Sequence, residues 1–185
     1  GAEDINDILY WLNKIDNYDW MPPAIKFLAE HAHDSAYTLQ FMKKLERLTA
    51  YLQVTAQDVN RRVSRYKWLL LEMDSKPEHS LNAPLETIEL TNNEKKLFME
   101  ALSGEIYTMP SRRRNYIIQR LDSFTSDGAA RYDAKIFTIE HILPQNPQKG
   151  SEWDTSWPDM EDRRYWVNRI ANLVPLTRMH NSAAQ

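Results

Sequence analysis

The stretch Thr138-Ile139-Glu140-His141-Ile142-Leu143-Pro144-Gln145 decides how this chain is read. Ile136, Thr138, Glu140 and Ile142 alternate with Phe137, Ile139, His141 and Leu143, which predicts a short strand. Pro144 lacks a backbone N–H and marks that strand's end. Neighbouring side chains on a strand point to opposite faces. For Glu140 and His141 to serve one site, a strand end or bulge must therefore lie between them. A second candidate strand, Leu173 to Leu176, follows Ala171-Asn172, and Asn181 stands nine positions after Asn172.

These residue types suit hydrolysis of a phosphodiester. A neutral imidazole takes a proton from water near neutral pH, so His141 is the candidate general base. Hard cations such as Mg²⁺ prefer oxygen ligands, which makes the Glu140 carboxylate and the Asn181 carboxamide oxygen candidate metal ligands. An oxygen-rich site of this kind accepts Mg²⁺ or Mn²⁺. A Glu-His pair alone is weak. The joint pattern with Asn172 and Asn181 carries the reading.

In this order and spacing the residues resemble an HNH (ββα-metal) endonuclease motif. More specifically, Thr138 to Pro147 followed by Asn168-Arg169-Ile170-Ala171-Asn172-Leu173-Val174-Pro175-Leu176 and Asn181 resembles the C-terminal domain of GmrSD-type modification-dependent restriction endonucleases. Arg114-Asn115-Tyr116-Ile117-Ile118-Gln119-Arg120-Leu121 is similar to a helix preceding the motif in that family. The resemblance implies His141 as catalytic base, Asn172 as the catalytic-loop brace, and Glu140 and Asn181 as metal ligands. It implies Mg²⁺ (or Mn²⁺) as cofactor, DNA as partner, a bacterial anti-phage restriction role in the cytoplasm, and an upstream nucleotide-dependent domain. Ala171 replaces the family's usual glycine, and Asn181 stands where histidine is common. The family continues past Gln185 with a basic helix, so the chain is expected to be truncated there. The contrasting expectation is a catalytically inactive helical interaction module, or a fragment of a larger restriction protein.

Arg112, Arg113, Arg114 and Arg120 are the candidate nucleic-acid contacts, because guanidinium matches phosphate geometry. The plain alternative is a solvated helix face. Arg61, Arg62, Arg65 and Lys67 read as a helical surface or interdomain contact. Trp153, Trp157 and Trp166 read as packing around a ββα unit with little core of its own. Asp159, Glu161 and Asp162 read as first-turn helix acids. His31 and His33 diverge on a helix and are poor joint ligands, and His79 reads as solvated.

The preceding sequence is helical. Ile5, Ile8, Leu9, Leu12 and Ile15 form one stripe. Met21-Pro22-Pro23 opens a second helix carrying Ile25, Leu28 and Ala29. Asp34 or Ser35 caps a third with Leu39, Met42, Leu45, Leu48 and Leu52 inward. Thr55 with Asp58 opens a fourth through Val59, Val63, Tyr66 and Leu70. Residues 75–91 form a connector. Residues 92–103 form a helix stopped by a left-handed Gly104, and Pro110-Ser111 opens another. Ser126-Asp127-Gly128 is a turn, and a final helix begins near Arg178.

The fold class expected is mostly α: a multi-helix domain with a small C-terminal ββα-metal (HNH-like) nuclease motif. The domains expected are a helical region, 1–91, and a lead-in plus nuclease motif, 92–185, with the motif itself from about 134 to 185. The chain has 185 residues, 42% hydrophobic content and a formal charge of −3, an ordinary globular composition that excludes neither DNA nor protein partners. There are 4 glycines, which disfavours a turn-rich all-β fold. The lack of cysteine excludes disulfides and thiolate zinc sites and fits a reducing cytoplasm. No run reaches the roughly 20 apolar residues of a membrane span, and the start, Gly1-Ala2-Glu3-Asp4, is acidic and lacks the apolar run of a signal peptide. The acidic start without methionine suggests an excised piece of a longer protein.

Overall fold

The computed structural model describes residues 2–125 and 137–177. Among them are eight α-helices, two short 3₁₀ turns and one two-stranded sheet, so the protein is mostly helical. No described helix is long and apolar enough to cross a membrane. The Ser126–Gly128 turn, the helix expected near Arg178, and Asn181 lie outside the described residues. Two compact units are present, Gly1–Met99 and Glu100–Gln185.

The first unit is built on α1 (Ala2–Leu12), α2 (Met21–His31), α3 (Ser35–Val54) and α4 (Val59–Ser75). Helix α3 is the hub: α1 and α2 both pack against it. Its last two turns, Leu48 to Val54, are buried all round, as a central helix requires. Asp34 caps it by accepting from the Tyr37 N–H at 2.9 Å. Trp11, Phe27, Phe41 and Leu45 lie in the core, and Phe27 stacks on Phe41 with centroids 3.7 Å apart. The buried Thr49 hydroxyl is satisfied: it donates to the Leu45 carbonyl at 2.7 Å and meets the Tyr66 hydroxyl at 2.9 Å.

Several inward faces differ from the expected ones. In α2 the core takes Pro23, Ala24 and Phe27, and Ile25 is exposed. In α4 it takes Tyr66, Leu69 and Met73, whereas Val63 is 50% exposed. Both helices carry more apolar residues than one stripe needs, so periodicity alone set Tyr66 inward but missed the other core positions. The cap of α4 is Asp58, which accepts from Asn60 and Arg61; Thr55 instead ends α3.

The expected connector has no regular structure from 76 to 91, yet Leu85, Ile88 and Leu90 are buried. Arg65 holds it in place. Its guanidinium donates to the carbonyls of Thr87 (2.8 Å) and Glu89 (2.7 Å) and grips both oxygens of Glu94 (2.9 and 3.3 Å). Glu94 accepts in turn from the Thr91 N–H, and Thr91 Oγ1 accepts from the Glu94 N–H, a capping box opening α5 (Asn92–Leu102). The expected surface arginine is thus an internal organiser. Gly104 is not left-handed; its N–H closes a turn to Ala101 at 3.2 Å.

Helix α3 ends in a Schellman motif with alanine where glycine is usual. The Gln57 N–H reaches Leu52 O (3.0 Å), the Ala56 N–H reaches Gln53 O (3.2 Å), and Ala56 has φ 54°. A left-handed alanine costs about 1–2 kcal/mol. Ala56→Gly is expected to raise stability by up to about 1 kcal/mol after the entropic cost of glycine, read as an upward shift of the urea midpoint.

Glu72 ties the end of α4 to the connector through the N–H groups of Glu86 (2.9 Å) and Thr87 (2.8 Å) and through Lys76 (2.8 Å). Burial pushes its pKa up, but the Lys76 bond and the two N–H donors outweigh that and hold it at about 2. Because the folded value is depressed from 4.5, its contribution is present above that pH and lost as pH falls towards 2. Glu72→Gln is expected to cost about 1–3 kcal/mol at pH 7. In thermal melts, its deficit relative to wild type should shrink at pH 3.

Candidate active site

In the second unit, α6 (Ser111–Thr125) buries the consecutive residues Tyr116, Ile117, Ile118 and Gln119, whereas Leu121 is exposed. Strand β1 (Phe137–His141) pairs antiparallel with β2 (Leu173–Thr177), setting His141 opposite Leu173 and Glu140 opposite Val174. Between the strands run α7 (Glu152–Ser156), α8 (Met160–Trp166) and a 3₁₀ turn, Ile170–Asn172. Arg163 staples α8 to Asp154, donating to its carbonyl (3.0 Å) and its carboxylate (2.9 Å). Gly150, at φ 79°, takes the left-handed turn before α7. Asp159 caps α8 by accepting from Glu161 and Asp162. Trp153 and Trp166, expected as packing, are 38% and 39% exposed, and Trp157 is half-buried.

Asn172 is buried at the mouth of this sheet. Its Oδ1 accepts from the Leu143 N–H at 2.6 Å, and its Nδ2 donates to the carbonyls of Leu143 (3.0 Å) and Val167 (2.9 Å). Its own carbonyl accepts from the Ile142 N–H at 3.0 Å. One carboxamide thereby ties the turn after β1 to the turn before β2.

His141 is the last residue of β1, three positions before the proline expected to end the strand. Its ring meets Tyr107 edge to face at 4.3 Å. Tyr107 is held by its N–H on the Asn168 carbonyl (3.0 Å) and by Arg114, whose Nη1 donates to the Tyr107 carbonyl (2.9 Å) and whose guanidinium lies 4.6 Å from the Tyr107 ring. Nε2 of His141 and Oδ1 of Asn168 are buried, and neither has a formed hydrogen bond. Burial pushes the His141 pKa below its ordinary value. Asn168 and the Glu140 carboxylate pull it back up, and the Arg114 charge adds to the lowering. At neutral pH the ring is therefore uncharged.

Glu140 precedes His141 and is half-buried. Glu140 and His141 both pair within β1, so the strand end or bulge expected between them is not there and the two consecutive positions face opposite sides of the strand. Asn181 is outside the described residues, so the structure brings together His141 and Asn172 and leaves the second expected ligand unplaced. Among the arginines, Arg114 packs on Tyr107 beside His141. Arg120 lies 4.1 Å over Phe124 and donates to the Ser123 hydroxyl. Arg113 is half-buried, and Arg112 is exposed. Tyr107 and Asn168 are the residues the sequence reading missed. Asn168 stood within the quoted motif, whereas nothing around Tyr107 signalled that it would meet His141.

Residues 92–185 match the family described as GmrSD restriction endonucleases, C-terminal domain. Neither the curated proteins nor the solved structures contain a match to the chain.

Removing the Asn172 carboxamide strands buried partners. Asn172→Ala is expected to cost about 3 kcal/mol. Asn172→Asp should not rescue it, because a carboxylate cannot donate to the two carbonyls. Hydrogen exchange at the Leu143 amide reports the loss directly, with protection falling in both variants.

Proposed function

The chain belongs to the family of GmrSD restriction endonuclease C-terminal domains, and from that premise we propose that its C-terminal unit is an HNH-type, metal-dependent DNA nuclease acting on modified foreign DNA. The observation that carries the proposal is His141: an uncharged imidazole at a strand end, set by Tyr107 and Arg114, immediately before a turn braced by Asn172.

In this reading His141 takes a proton from water as the water oxygen bonds to phosphorus. The phosphorus–oxygen bond to the leaving sugar breaks, and that oxygen takes a proton from solvent. Asn168 Oδ1 is the acceptor available to a buried Nε2–H, which leaves Nδ1 as the basic nitrogen. Asn172 keeps the 142–143 turn from drifting. Arg114 adds positive charge where a phosphate approaches. Glu140 offers carboxylate oxygens of the kind a hard divalent ion takes, and Asn181 would complete the protein's share of ligands. Mg²⁺ or Mn²⁺ held there supplies charge neutralisation at the scissile phosphate. Arg112, Arg113 and Arg120 extend the basic helix towards the DNA backbone in this reading. An upstream nucleotide-dependent domain and a cytoplasmic setting belong to the same proposal.

Plasmid nicking with Mg²⁺ or Mn²⁺ tests the assignment. His141→Ala is expected to lose about 100-fold or more in rate, and EDTA should abolish cutting by wild type. Equal cutting by the two proteins sinks the catalytic role. Absence of cutting in both favours the interaction-module reading. The base must be uncharged to act, and its pKa is lowered. The acid limb of the pH–rate profile should therefore fall below the ordinary histidine value of about 6.5.

A further inference from the structure

Three potential metal ligands converge in the first unit, apart from the nuclease motif. Glu30 and His31 end α2, and His79 sits in the segment after α4. One ligand atom from each lies within 4.8 Å of the other two. We propose that Glu30, His31 and His79 form a binding site for a Zn²⁺-class divalent ion, which clamps the connector to the end of α2.

His79 is built as a ligand would be. It is 3% exposed, with its ring 4.5 Å from that of His31 and 5.8 Å from that of Phe27. Its Nδ1 lies 2.9 Å from the Tyr37 hydroxyl. With Nδ1 donating to that hydroxyl, the tautomer is fixed and the Nε2 lone pair is left to bind an ion, the usual arrangement behind a ligating histidine. His31 is anchored through its carbonyl, which accepts from the Asp34 N–H (2.9 Å) and from Thr38 Oγ1 (2.9 Å). The ion would also sit at a helix C-terminus, where the dipole favours positive charge.

Two imidazoles and one carboxylate select a borderline ion over Mg²⁺ or Ca²⁺, which want oxygen throughout. Tetrahedral coordination brings ligand atoms to about 3.4 Å from one another. The half-buried His31 and exposed Glu30 have room to close that difference, and water takes the fourth position. Lys26 now holds Glu30 at 2.7 Å and also reaches Asp74 at 2.9 Å, so an arriving ion displaces one of two partners of the lysine and leaves it paired. The site does not depend on the nuclease reading.

The test is calorimetric titration of metal-stripped protein with Zn²⁺ in the Glu140→Ala background, which removes the carboxylate ligand of the proposed nuclease site. The expected result is one Zn²⁺ per chain, a raised melting temperature, and visible absorption of four-coordinate Co²⁺ when Co²⁺ replaces Zn²⁺. Because His79 is part of the core, Glu30→Gln and His31→Gln carry the argument. Each should weaken Zn²⁺ binding at least about tenfold, with an unchanged circular dichroism spectrum. Unchanged affinity in both variants overturns the site, as does the absence of a stoichiometric Zn²⁺ or a Co²⁺ spectrum without four-coordinate character. Either result leaves the cluster as aromatic packing beside an ion pair.

Discussion

The C-terminal unit depends on the carboxamide of Asn172. Two strands of five residues make too small a sheet to be stable alone. These two are also joined by a long excursion rather than a tight turn. Asn172 supplies the closure that a hairpin turn normally would, satisfying both backbone groups of Leu143 from a buried position. Leu143 and Leu173 are buried beside it, so polar closure and apolar burial coincide. His141 ends β1 two residues before Leu143. Any drift of that turn would therefore move the imidazole against Tyr107.

The two units are held by different means. The first rests on aromatic and aliphatic burial around α3, with Arg65 and Glu72 fixing an irregular segment by donating to or accepting from its backbone. Charged side chains do this well because one guanidinium or carboxylate satisfies several backbone groups together. Among the described residues, the second unit has fewer large buried side chains and relies on staples: Asn172, Arg163 on Asp154, and Arg114 on Tyr107. A site whose residues come from α6, a 3₁₀ turn and a strand end is kept in register by these directional contacts.

Local patterns in the sequence were the most legible. Alternation around Glu140 marked β1, Leu173 to Leu176 marked β2, and Asp34 marked the start of α3. All three depend on nearest neighbours in sequence. The choice of helix face did not read through, because α2 and α4 each carry two apolar stripes and only tertiary packing selects between them. His79 read as solvated because its surroundings in sequence are polar, yet Phe27 and Tyr37 enclose it from elsewhere in the chain. The tryptophans between the strands are only partly covered, with Trp153 and Trp166 38% and 39% exposed and Trp157 half-buried, so residue type alone overstated their burial. Within the site, Asn172 was legible by spacing, whereas Tyr107 precedes His141 by 34 residues with no pattern linking them.

The excursion between the strands carries one more consequence. The chain leaves β1 at His141 and returns at Leu173, and the crossing point is fixed by the strand ladder and the Asn172 carboxamide rather than by the path taken between. The entropy of closing a loop grows only as the logarithm of its length, at roughly 0.6 kcal/mol per doubling. The closure term alone therefore changes little if residues 146–165 lengthen or shorten, provided that Asn172 still meets Leu143 and Arg163 still holds Asp154. The fold thus separates what must stay fixed from what is free to diversify, with the exposed Trp153 and Trp166 on the divergent side.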